Sequence, residues 1–470
     1  MRNFISVSML TFIFCFCISI FSVDAATINA SSCSKADVET AITAASTGDT
    51  IVIPSGTCSW VSAVEIPSGK SITIAGQTTT SRNATTYQVT ATDNTIIQAS
   101  SSAFRVNESN NVRIAGITFD GATIAIVMPS PAIGMRIDHC HFISVSRIFD
   151  KAVTPTYKGI LFDHNRIYEP ANETLYITGA GNTPWIDGGP CGSSDPEKMT
   201  IFEDNEFVWS ATGGAGGPID SGNGAMIVFR HNRFTGHVNN GPGELLETHG
   251  HCWGQRDGND NAATYCMEIS NNKFYKGNTV NNSAMILKSR GGISYVYNNE
   301  IYDAGWSTNA MIRYWTQEVS YNCNSTPCAV QAHEDMGLHA VPLSRASNYT
   351  NGLCDTYPCP MQVNNSYIWG NTWDSGTIVV DDDWYNAAGY VDEDRDYWDD
   401  LGAGDTNFSS GLSAARPGNC ADDDCYWETD TKKLYRCVGA NNWTLVYTSY
   451  TYPHPLTKPS PPRNLRISQP

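Results

Sequence analysis

The chain has 470 residues, of which only 16% are charged, and 47 acidic against 29 basic residues give a formal charge of −18. This balance excludes a general nucleic-acid binder, because nothing would neutralise the phosphates, and it disfavours long-range attraction of polyanionic sugars. The length is enough for one large domain or two to three ordinary ones, and the abundance of Gly, Asn, Ser and Thr is typical of a β-rich protein with many turns.

The first 25 residues have the pattern of a secretory signal peptide. Arg2 supplies the positive start, an apolar run extends from Met9 to Phe21, and residues 23–25 (VDA) form a small-residue cleavage pattern. The run is short for a membrane-spanning helix, and no later apolar segment has spanning length. We therefore expect a secreted or cell-surface protein without a membrane span; a permanent N-terminal anchor is the alternative.

Cysteine usage also points to an oxidising compartment. Removal of Cys15 and Cys17 with the signal peptide reduces the 15 cysteines to 13. Five pairs lie at loop-closing spacings: Cys33/Cys58, Cys252/Cys266, Cys323/Cys328, Cys354/Cys359 and Cys425/Cys437. Disulfides are the default in an exported protein, with zinc binding as the alternative. The odd count leaves at least one thiol, and we expect Cys140, within a strand pattern, to be buried.

A short pattern of alternating apolar residues, often with Asn two positions before its last residue, recurs along the chain. Its copies are VRIAGITF (112–119), MRIDHCHF (135–142), ILFDHNRI (160–167), TIFEDNEF (200–207), IVFRHNRF (227–234), MEISNNKF (267–274), SYVYNNEI (294–301) and SYIWGNTW (366–373). The alternation has period two, which predicts strands, and the smallest intervals between copies are in the twenties, as in the coils of a solenoid.

The asparagines of this pattern are expected at the bend between two strands, where a left-handed residue is needed. They are predicted to stack along the axis and to share amide hydrogen bonds; they are Asn165, Asn205, Asn232, Asn272 and Asn299. Independent hairpins of a β-sandwich are the alternative, but hairpins would not explain the same Asn offset in every copy.

These coils resemble right-handed parallel β-helix proteins of the pectate-lyase-like type. The stretch from Cys33 to Trp60 agrees, because a short amphipathic helix around Ala36–Ala45 precedes GDTIVIPSGTC, as in the caps of such proteins. Together with the composition of the two ends, the resemblance predicts a signal peptide (1–25), a capped β-helix (26–400) with an insertion at 321–360, a small Cys- and aromatic-rich C-terminal appendage (401–456) and a Pro-rich tail (457–470). This architecture hosts lyases, hydrolases and adhesins, so it does not decide the activity.

Reactive side chains concentrate in three late tracts, GELLETHGHCWGQRDG (243–258), AMILKSRGG (284–292) and AMIRYWTQE (310–318). The lysine-serine pair of the second tract, followed by an Asn-containing bend and then by the arginine of the third tract, resembles the arrangement in the family-six polysaccharide lyases, the chondroitinase-B and alginate-lyase group. The resemblance implies that Lys288 removes the C5 proton of a uronate and that Arg313 assists the leaving oxygen.

The substrate carboxylate must be neutralised during such an elimination, which this family does with calcium or basic side chains. We take Glu244 and Glu247 as candidate calcium ligands, and Arg290 as the cation that would favour an unprotonated Lys288. One observation opposes the site: if the AMI copies at Ala284 and Ala310 stack in register, Lys288 and Arg313 point to opposite faces.

Further candidates are sugar-binding and acidic residues. His249 and His251 share one face of a predicted strand, and Trp253 and Trp315 could stack on sugar rings, although core packing is the simpler role for most of the tryptophans. The acidic stretches at 381–383 and 392–400 could bind calcium or form a solvated face.

We therefore expect a secreted carbohydrate-active protein, most concretely a lyase that cleaves uronate-containing polysaccharide. The alternatives are hydrolysis by paired carboxylates and a β-helix that binds glycans at the cell surface without cleaving them. Convergence of lysine, arginine and acid in one groove would favour an enzyme over the binding protein.

Overall fold

The computed structural model describes residues 25–107, 111–128, 132–149, 157–169, 175–178, 191, 199–209, 219–222, 224–236, 244–248, 264–276, 285–289, 291–302, 310–314, 363–374, 376–381, 391, 393–394, 396–401 and 408–457. Helix α1 spans Lys35–Ala44, and single 3-10 turns span Ser413–Ala415 and Pro455–Thr457. The predicted signal peptide, apart from its last residue, and the tail from 458 onwards lie outside the described residues.

The first strands are β1 (Thr27–Asn29), β2 (Thr50–Val52), β3 (Gly56–Trp60), β4 (Val64–Ile66), β5 (Thr73–Ala75), β6 (Thr79–Arg82), β7 (Val89–Thr92), β8 (Thr95–Ala99), β9 (Ser102–Val106), β10 (Arg113–Ala115), β11 (Thr118–Asp120), β12 (Ile124–Val127), β13 (Ala132–Ile133), β14 (Arg136–Asp138), β15 (His141–Ile143), β16 (Arg147–Phe149), β17 (Tyr157–Lys158), β18 (Ile160–Asp163) and β19 (Arg166–Tyr168). The following strands are β20 (Leu175–Thr178), β21 (Thr200–Glu203), β22 (Glu206–Val208), β23 (Ile219–Gly222), β24 (Met226–Arg230), β25 (Arg233–Thr235), β26 (Glu244–Thr248), β27 (Cys266–Ser270), β28 (Lys273–Tyr275), β29 (Met285–Ser289), β30 (Ile293–Tyr297), β31 (Glu300–Tyr302), β32 (Ala310–Tyr314), β33 (Ser366–Trp369), β34 (Thr372–Trp373), β35 (Val379–Asp381) and β36 (Tyr397–Asp399). The last strands are β37 (Phe408–Gly411), β38 (Cys425–Glu428), β39 (Lys433–Cys437) and β40 (Trp443–Thr448).

Parallel sheets form the faces of a coil stack. Sheet A has the order β1-β2-β5-β10-β14-β18-β21-β24-β27-β30-β33-β36, and sheet B has the order β3-β8-β11-β15-β19-β22-β25-β28-β31-β34. The third face holds sheet C, β4-β9-β12-β16, followed by sheet D, β20-β23-β26-β29-β32-β35. Strands β13 and β17 pair, and β6 and β7 form a hairpin. The sequence-based expectation of a parallel β-helix is confirmed.

The repeated pattern forms sheets A and B. The last apolar residue of each copy pairs in register with that of the next copy in sheet B; these residues are Phe119, Phe142, Ile167, Phe207, Phe234, Phe274, Ile301 and Trp373. Where phenylalanines meet they stack, as Phe207 and Phe234 do with ring centroids 5.0 Å apart. The interior of the coil is thus an apolar and aromatic column, which excludes water along its length.

Helix α1 covers the first coil, as the capping stretch predicts. Its buried face is formed by Val38, Ala41 and Ile42. The Ser34 hydroxyl accepts a hydrogen bond from the Asp37 amide and caps the helix N-terminus. No helix among the described residues is long and apolar enough to cross a membrane.

The predicted asparagine ladder is present between sheets A and B, and its five predicted members are fully buried. Each side-chain amide donates to the oxygen of the next one, as Asn205 Nδ2 does to Asn232 Oδ1 at 3.0 Å and Asn232 Nδ2 to Asn272 Oδ1 at 3.1 Å. The ladder begins at Asn165 and continues beyond Asn299 to Asn371. Hydrogen-bonded amides satisfy the polar groups of a bend that is closed to water.

The left-handed residue of each bend is the one before the ladder asparagine, which corrects the predicted position. These residues have φ values between 52° and 64° and are Gly116, His139, His164, Asp204, His231, Asn271 and Asn298, followed by Gly370 at 63°. Three of them are the histidines His139, His164 and His231, which therefore have a structural role in the bends. Asn, Asp, His and Gly tolerate this conformation better than branched residues do.

The disulfides match the cysteine pairing prediction only in part. Cys33–Cys58 is present as predicted. The pairs Cys252/Cys266 and Cys425/Cys437 are wrong, because Cys266 bonds to Cys191 and Cys437 bonds to Cys420. Sequence spacing does not predict the Cys191–Cys266 pair, because the coil brings together two cysteines that are 75 residues apart in the sequence. Cys323, Cys328, Cys354 and Cys359 lie outside the described residues.

Cys140 and Cys425 are buried thiols among the residues described. Burial raises the pKa of both thiols. Cys140 occupies the ladder position of its coil, where its backbone amide donates to Asn165 Oδ1 at 2.8 Å.

The C-terminal strands β37 to β40 form a small mixed sheet, called sheet E, that packs on the outer face of sheet A. Tyr447 of sheet E stacks on Tyr295 with centroids 3.8 Å apart, and Trp427 lies 5.1 Å from Trp369. Behind the sheet, the backbone oxygens of Tyr450 and Thr451 accept hydrogen bonds from the fully buried Arg230. Sheet E is thus fixed to the coils by aromatic packing and by a buried guanidinium.

Candidate functional site

Sheet D carries a row of charged residues on its outer face. Along its strands, apolar side chains that point into the coil alternate with charged ones that point outwards, and Leu246, Leu287 and Ile312 form part of the inward row with 0% exposure. The outward row, in strand order, is Asp220, Glu247, Lys288, Arg313 and Asp381.

Lys288 and Arg313 are direct partners in the strand register. Strands in a sheet are about 4.8 Å apart, so the two side chains stand next to each other on one face. The opposition of these side chains that the AMI motifs predict is wrong. Lys288 and Arg313 are 25 residues apart, whereas Ala284 and Ala310 are 26 residues apart. Because Lys288 pairs with Arg313, the two AMI motifs are out of register by one position. A third AMI motif, at Ala225, leads into sheet A and is not part of sheet D.

Each of the two cations is paired with an acid on its far side. Lys288 Nζ lies 3.0 Å from Glu247 Oε1, and Arg313 Nε donates to Asp381 Oδ2 at 2.6 Å. The order along the sheet is therefore acid, lysine, arginine, acid, with Asp220 beyond Glu247. Two neighbouring cations are compatible with burial because each one faces a carboxylate.

The row is protected from water although it lies on the outside of the coil. Asp220 is 4% exposed, Glu247 and Lys288 are 6% exposed and Arg313 is 7% exposed. The side chain of Asp381, at the end of the row, is 23% exposed. Charges in such surroundings interact more strongly than they do in water, which is the condition that acid–base chemistry on a bound substrate requires.

The predicted calcium ligands have different outcomes. Glu247 is the partner of Lys288, so a cation bound there would compete with the ammonium group for the same oxygen. Strand β26 begins at Glu244, whose side chain lies outside the described part of the structure. Among the described residues, no group of three His, Cys, Asp or Glu side chains could hold a metal ion. The calcium expectation stays a prediction.

The remaining site candidates from the sequence are Arg290, His249, His251, Trp253 and Trp315, and all five lie outside the described residues.

The described residues of the acidic stretches at 381–383 and 392–400 have separate roles. Asp381 pairs with Arg313, and Asp396 and Asp399 are 0% and 8% exposed, so these three residues do not form a solvated acidic face. Asp400 accepts a hydrogen bond from the Gly370 amide at 2.7 Å.

Sequence reasoning missed Asp220 as a member of the charged row. The signal was available, since Asp220 lies between Ile219 and Ser221 in the same in–out alternation as Glu247 and Lys288. Trp369 is 2% exposed and stacks on Tyr297 beneath sheet E, which agrees with the packing role expected for most of the tryptophans.

No protein-family model matches the sequence, and no curated protein matches it. Among solved structures, an alginate lyase from Paenibacillus sp. str. FPU-7 is 13% identical with a TM-score of 0.43, over 76% of this chain and 98% of that one. A PL6 family alginate lyase is 12% identical (TM-score 0.33, 91% of this chain and 57% of that one). A tailspike protein of E. coli bacteriophage HK620, in complex with a hexasaccharide, is 10% identical (TM-score 0.37, 73% and 59%). Alginate lyases, the group that the sequence resembles, are thus among the structural neighbours, but likeness at this level does not bear on activity.

Proposed function

We propose that this chain is an extracellular carbohydrate-active protein that cleaves uronate-containing polysaccharide by β-elimination, with Lys288 as the base and Arg313 as its partner. The observation that carries the proposal is the register pairing of Lys288 with Arg313 on one buried outer face. The disulfides support an extracellular location, because they are typical of chains exposed to an oxidising compartment.

The proposed chemistry needs one proton acceptor and one positive group beside it. The amine of Lys288 takes the C5 proton of the uronate, the electron pair forms the C4–C5 double bond, and the C4–O bond breaks. Arg313 donates a hydrogen bond to the departing oxygen, which becomes an alcohol when it takes up a proton from water. Negative charge that develops on the substrate then faces two cations in a site of low water content.

Lys288 has to release its own proton before it can accept another. Glu247 Oε1, at 3.0 Å, is placed to receive that proton, and the neighbouring charge of Arg313 favours the neutral amine. Side-chain exposure rises from 8% at Lys288 and Arg313 to 23% at Asp381. We expect a substrate to approach from the Asp381 end, where its carboxylate can exchange with that of Asp381 on Arg313.

Calcium remains part of the proposal. A calcium ion bound at Glu247 would neutralise the substrate carboxylate and would release Lys288 from its ion pair. We therefore expect elimination to be faster with calcium than with a chelator.

A substrate panel tests the reaction class. Alginate, pectate, chondroitin and dermatan, with neutral glycans beside them, are incubated with the protein in calcium or in chelator. Products are followed by the ultraviolet absorbance of the unsaturated uronate and by new reducing ends. Absorbance that rises together with reducing ends on an acidic polymer is the expected result. Retained glycan binding without any product would contradict the proposal and would leave a binding protein.

A second candidate is hydrolysis, which the register pairing of Asp220 with Glu247 favours. Two carboxylates on one face of neighbouring strands, whose backbones are about 4.8 Å apart, stand side by side as a paired-carboxylate mechanism requires. In this case reducing ends appear without absorbance and are lost in Asp220→Asn. An elimination product whose formation is unaffected by that substitution would exclude hydrolysis at this pair.

A further inference from the structure

A pocket of about 530 Å³ lies where sheet E meets the bends between sheets A and B. The coil contributes residues at 230–231, 268–271 and 297–298, and the C-terminal strands contribute residues at 427, 431–432 and 448–452. Its volume is within the range of pockets that bind small ligands. It belongs to the outer face of sheet A and not to sheet D, so it is separate from the row that contains Lys288.

The walls of this pocket are held by buried polar contacts. Arg230, 1% exposed, donates to Glu203 Oε2 at 2.7 Å and to the Tyr450 and Thr451 oxygens at 2.7 and 2.8 Å. These bonds join the coil to the C-terminal segment, so the two walls of the pocket are held together by direct contacts. A site whose walls are fixed in advance has little ordering to do when a ligand binds.

The pocket floor contains a carboxylate that is saturated with hydroxyl donors. Glu268 accepts hydrogen bonds from Ser270 at 2.6 Å, from Tyr297 at 2.9 Å and from Tyr447. Ser449 lies 2.7 Å from the Tyr297 hydroxyl and extends this network to the pocket wall. The negative charge of Glu268 is thus enclosed by hydroxyl donors and is not open to the pocket.

The rim combines an aromatic surface with one exposed cation. Tyr452 stacks on His231 with centroids 3.6 Å apart, and burial, followed by the charge of Arg230, lowers the pKa of His231 to about 3. His231 is therefore neutral at physiological pH. Lys432, which is exposed, contributes a positive charge to the lining, and the positive charge of Arg230 is directed to Glu203.

We propose that this pocket is a second, non-catalytic carbohydrate site that holds one or two units of an acidic sugar chain. The hydroxyls of Thr448 and Ser449, which are half-buried in the pocket wall, suit the hydroxyl groups of a sugar, the ring of Tyr452 suits its apolar face, and Lys432 suits its carboxylate. The site shares its ligand class with the proposed function but none of its residues. Its role is to hold a polymer on one face of the coils while the charged row of sheet D is free to act on another segment.

Two substitutions test the site without removing a buried partner. Thr448→Trp fills the pocket from strand β40, and its matched control is Thr444→Trp, an exposed threonine of the same strand that does not line the pocket. Lys432→Asn removes the cation, and Asn tolerates the left-handed backbone at this position, where φ is 56°. All variants carry Lys288→Ala so that an oligosaccharide probe is not cleaved, and thermal unfolding verifies that each is folded.

Binding of alginate and pectate oligosaccharides is measured by calorimetry, with neutral xylo-oligosaccharides for comparison. We expect acidic oligosaccharides to bind at least tenfold more weakly to Thr448→Trp and to Lys432→Asn than to the parent, with Thr444→Trp unchanged. The parent here is the chain that carries Lys288→Ala alone. The proposal would be overturned if Thr448→Trp bound acidic oligosaccharides as tightly as the parent. It would also be overturned if the parent bound none of them, or bound neutral oligosaccharides equally well. Since turnover is not measured, the absence of elimination would sink the proposed function and leave this result intact.

Discussion

Asn232 lies in the middle of the asparagine ladder, where its side chain makes four hydrogen bonds. Its oxygen accepts from the Asn205 backbone amide and side chain, both at 3.0 Å. Its side-chain nitrogen donates to the Phe202 oxygen at 2.9 Å and to Asn272 Oδ1 at 3.1 Å. Asn232 is 0% exposed, so water does not replace these bonds when the amide is removed. The substitution Asn232→Ala therefore tests how much the ladder contributes to stability.

Each buried hydrogen bond contributes about 1 kcal/mol, and partners left without a bond add a further penalty. The four bonds of Asn232 predict a loss of about 4–6 kcal/mol in the free energy of unfolding. Asn371 is the matched control, because it ends the ladder, is partly exposed and makes three such bonds. Water can replace those bonds, and we expect Asn371→Ala to cost about 1–2 kcal/mol.

Equilibrium unfolding in guanidinium chloride, followed by circular dichroism, gives both values. The midpoint of Asn232→Ala should fall well below that of Asn371→Ala, which in turn should lie close to that of the parent chain. Failure of Asn232→Ala to accumulate as folded protein, with Asn371→Ala folded, agrees with the same ordering. Equal losses in the two variants, or a loss below about 1 kcal/mol for Asn232→Ala, would refute the reasoning that burial makes the inner amides indispensable.

Three further predictions concern the bends and the C-terminal sheet. The pKa of His231 is lowered to about 3 from 6.5, so the unfolded chain binds a proton that the folded chain does not, and stability falls as the pH drops from about 6.5 to about 3. His231→Asn should reduce the difference between unfolding free energies at pH 7 and pH 4 by up to about 3 kcal/mol, and an unchanged difference would contradict this. Arg230→Met leaves Glu203 buried without its partner and should cost about 3–5 kcal/mol, with faster amide exchange in strands β37 to β40; exchange that is unchanged there would argue against the clamp. Replacement of Cys420 and Cys437 by serine opens a 17-residue loop and should lower stability by about 3 kcal/mol, measured against the parent under the same oxidising conditions; equal stabilities would contradict a structural role for this bond.

The coil architecture was predictable because its signal is local and repeated. The pattern that ends in Phe207, Phe234 and Phe274 fixes both the strand period and the register of sheet B, since a slip by one residue would turn the apolar side chains outwards. The Asn offset predicts the ladder for the same reason: Asn232 and Asn272 occupy identical places in their coils.

The candidate site was harder to predict because its register depends on loops of unequal length. Alignment of the AMI motifs would place Lys288 and Arg313 on opposite faces of the sheet. The alignment that is found places Leu287 beside Ile312, both pointing inwards, and therefore Lys288 beside Arg313. Burial of the apolar row decides between the two alignments. The pairing of Cys191 with Cys266 was likewise out of reach, since it depends on which coils are neighbours and not on spacing.

Lys288 is proposed to act as a base beside Arg313. The most direct measurement is the initial rate of unsaturated product formation, by ultraviolet absorbance, for the parent, Lys288→Ala and Lys273→Ala on the polysaccharide that the parent cleaves. Lys273 is a matched control because it also pairs with a glutamate of the neighbouring coil, Glu300 at 2.9 Å, but on sheet B. We predict that Lys288→Ala loses about 10²–10⁴-fold in rate while Lys273→Ala stays within about twofold of the parent. An unchanged rate of absorbance increase in Lys288→Ala would contradict this role, and so would equal losses of rate in the two variants. It would also be contradicted by a parent chain that forms no unsaturated product from any acidic polysaccharide.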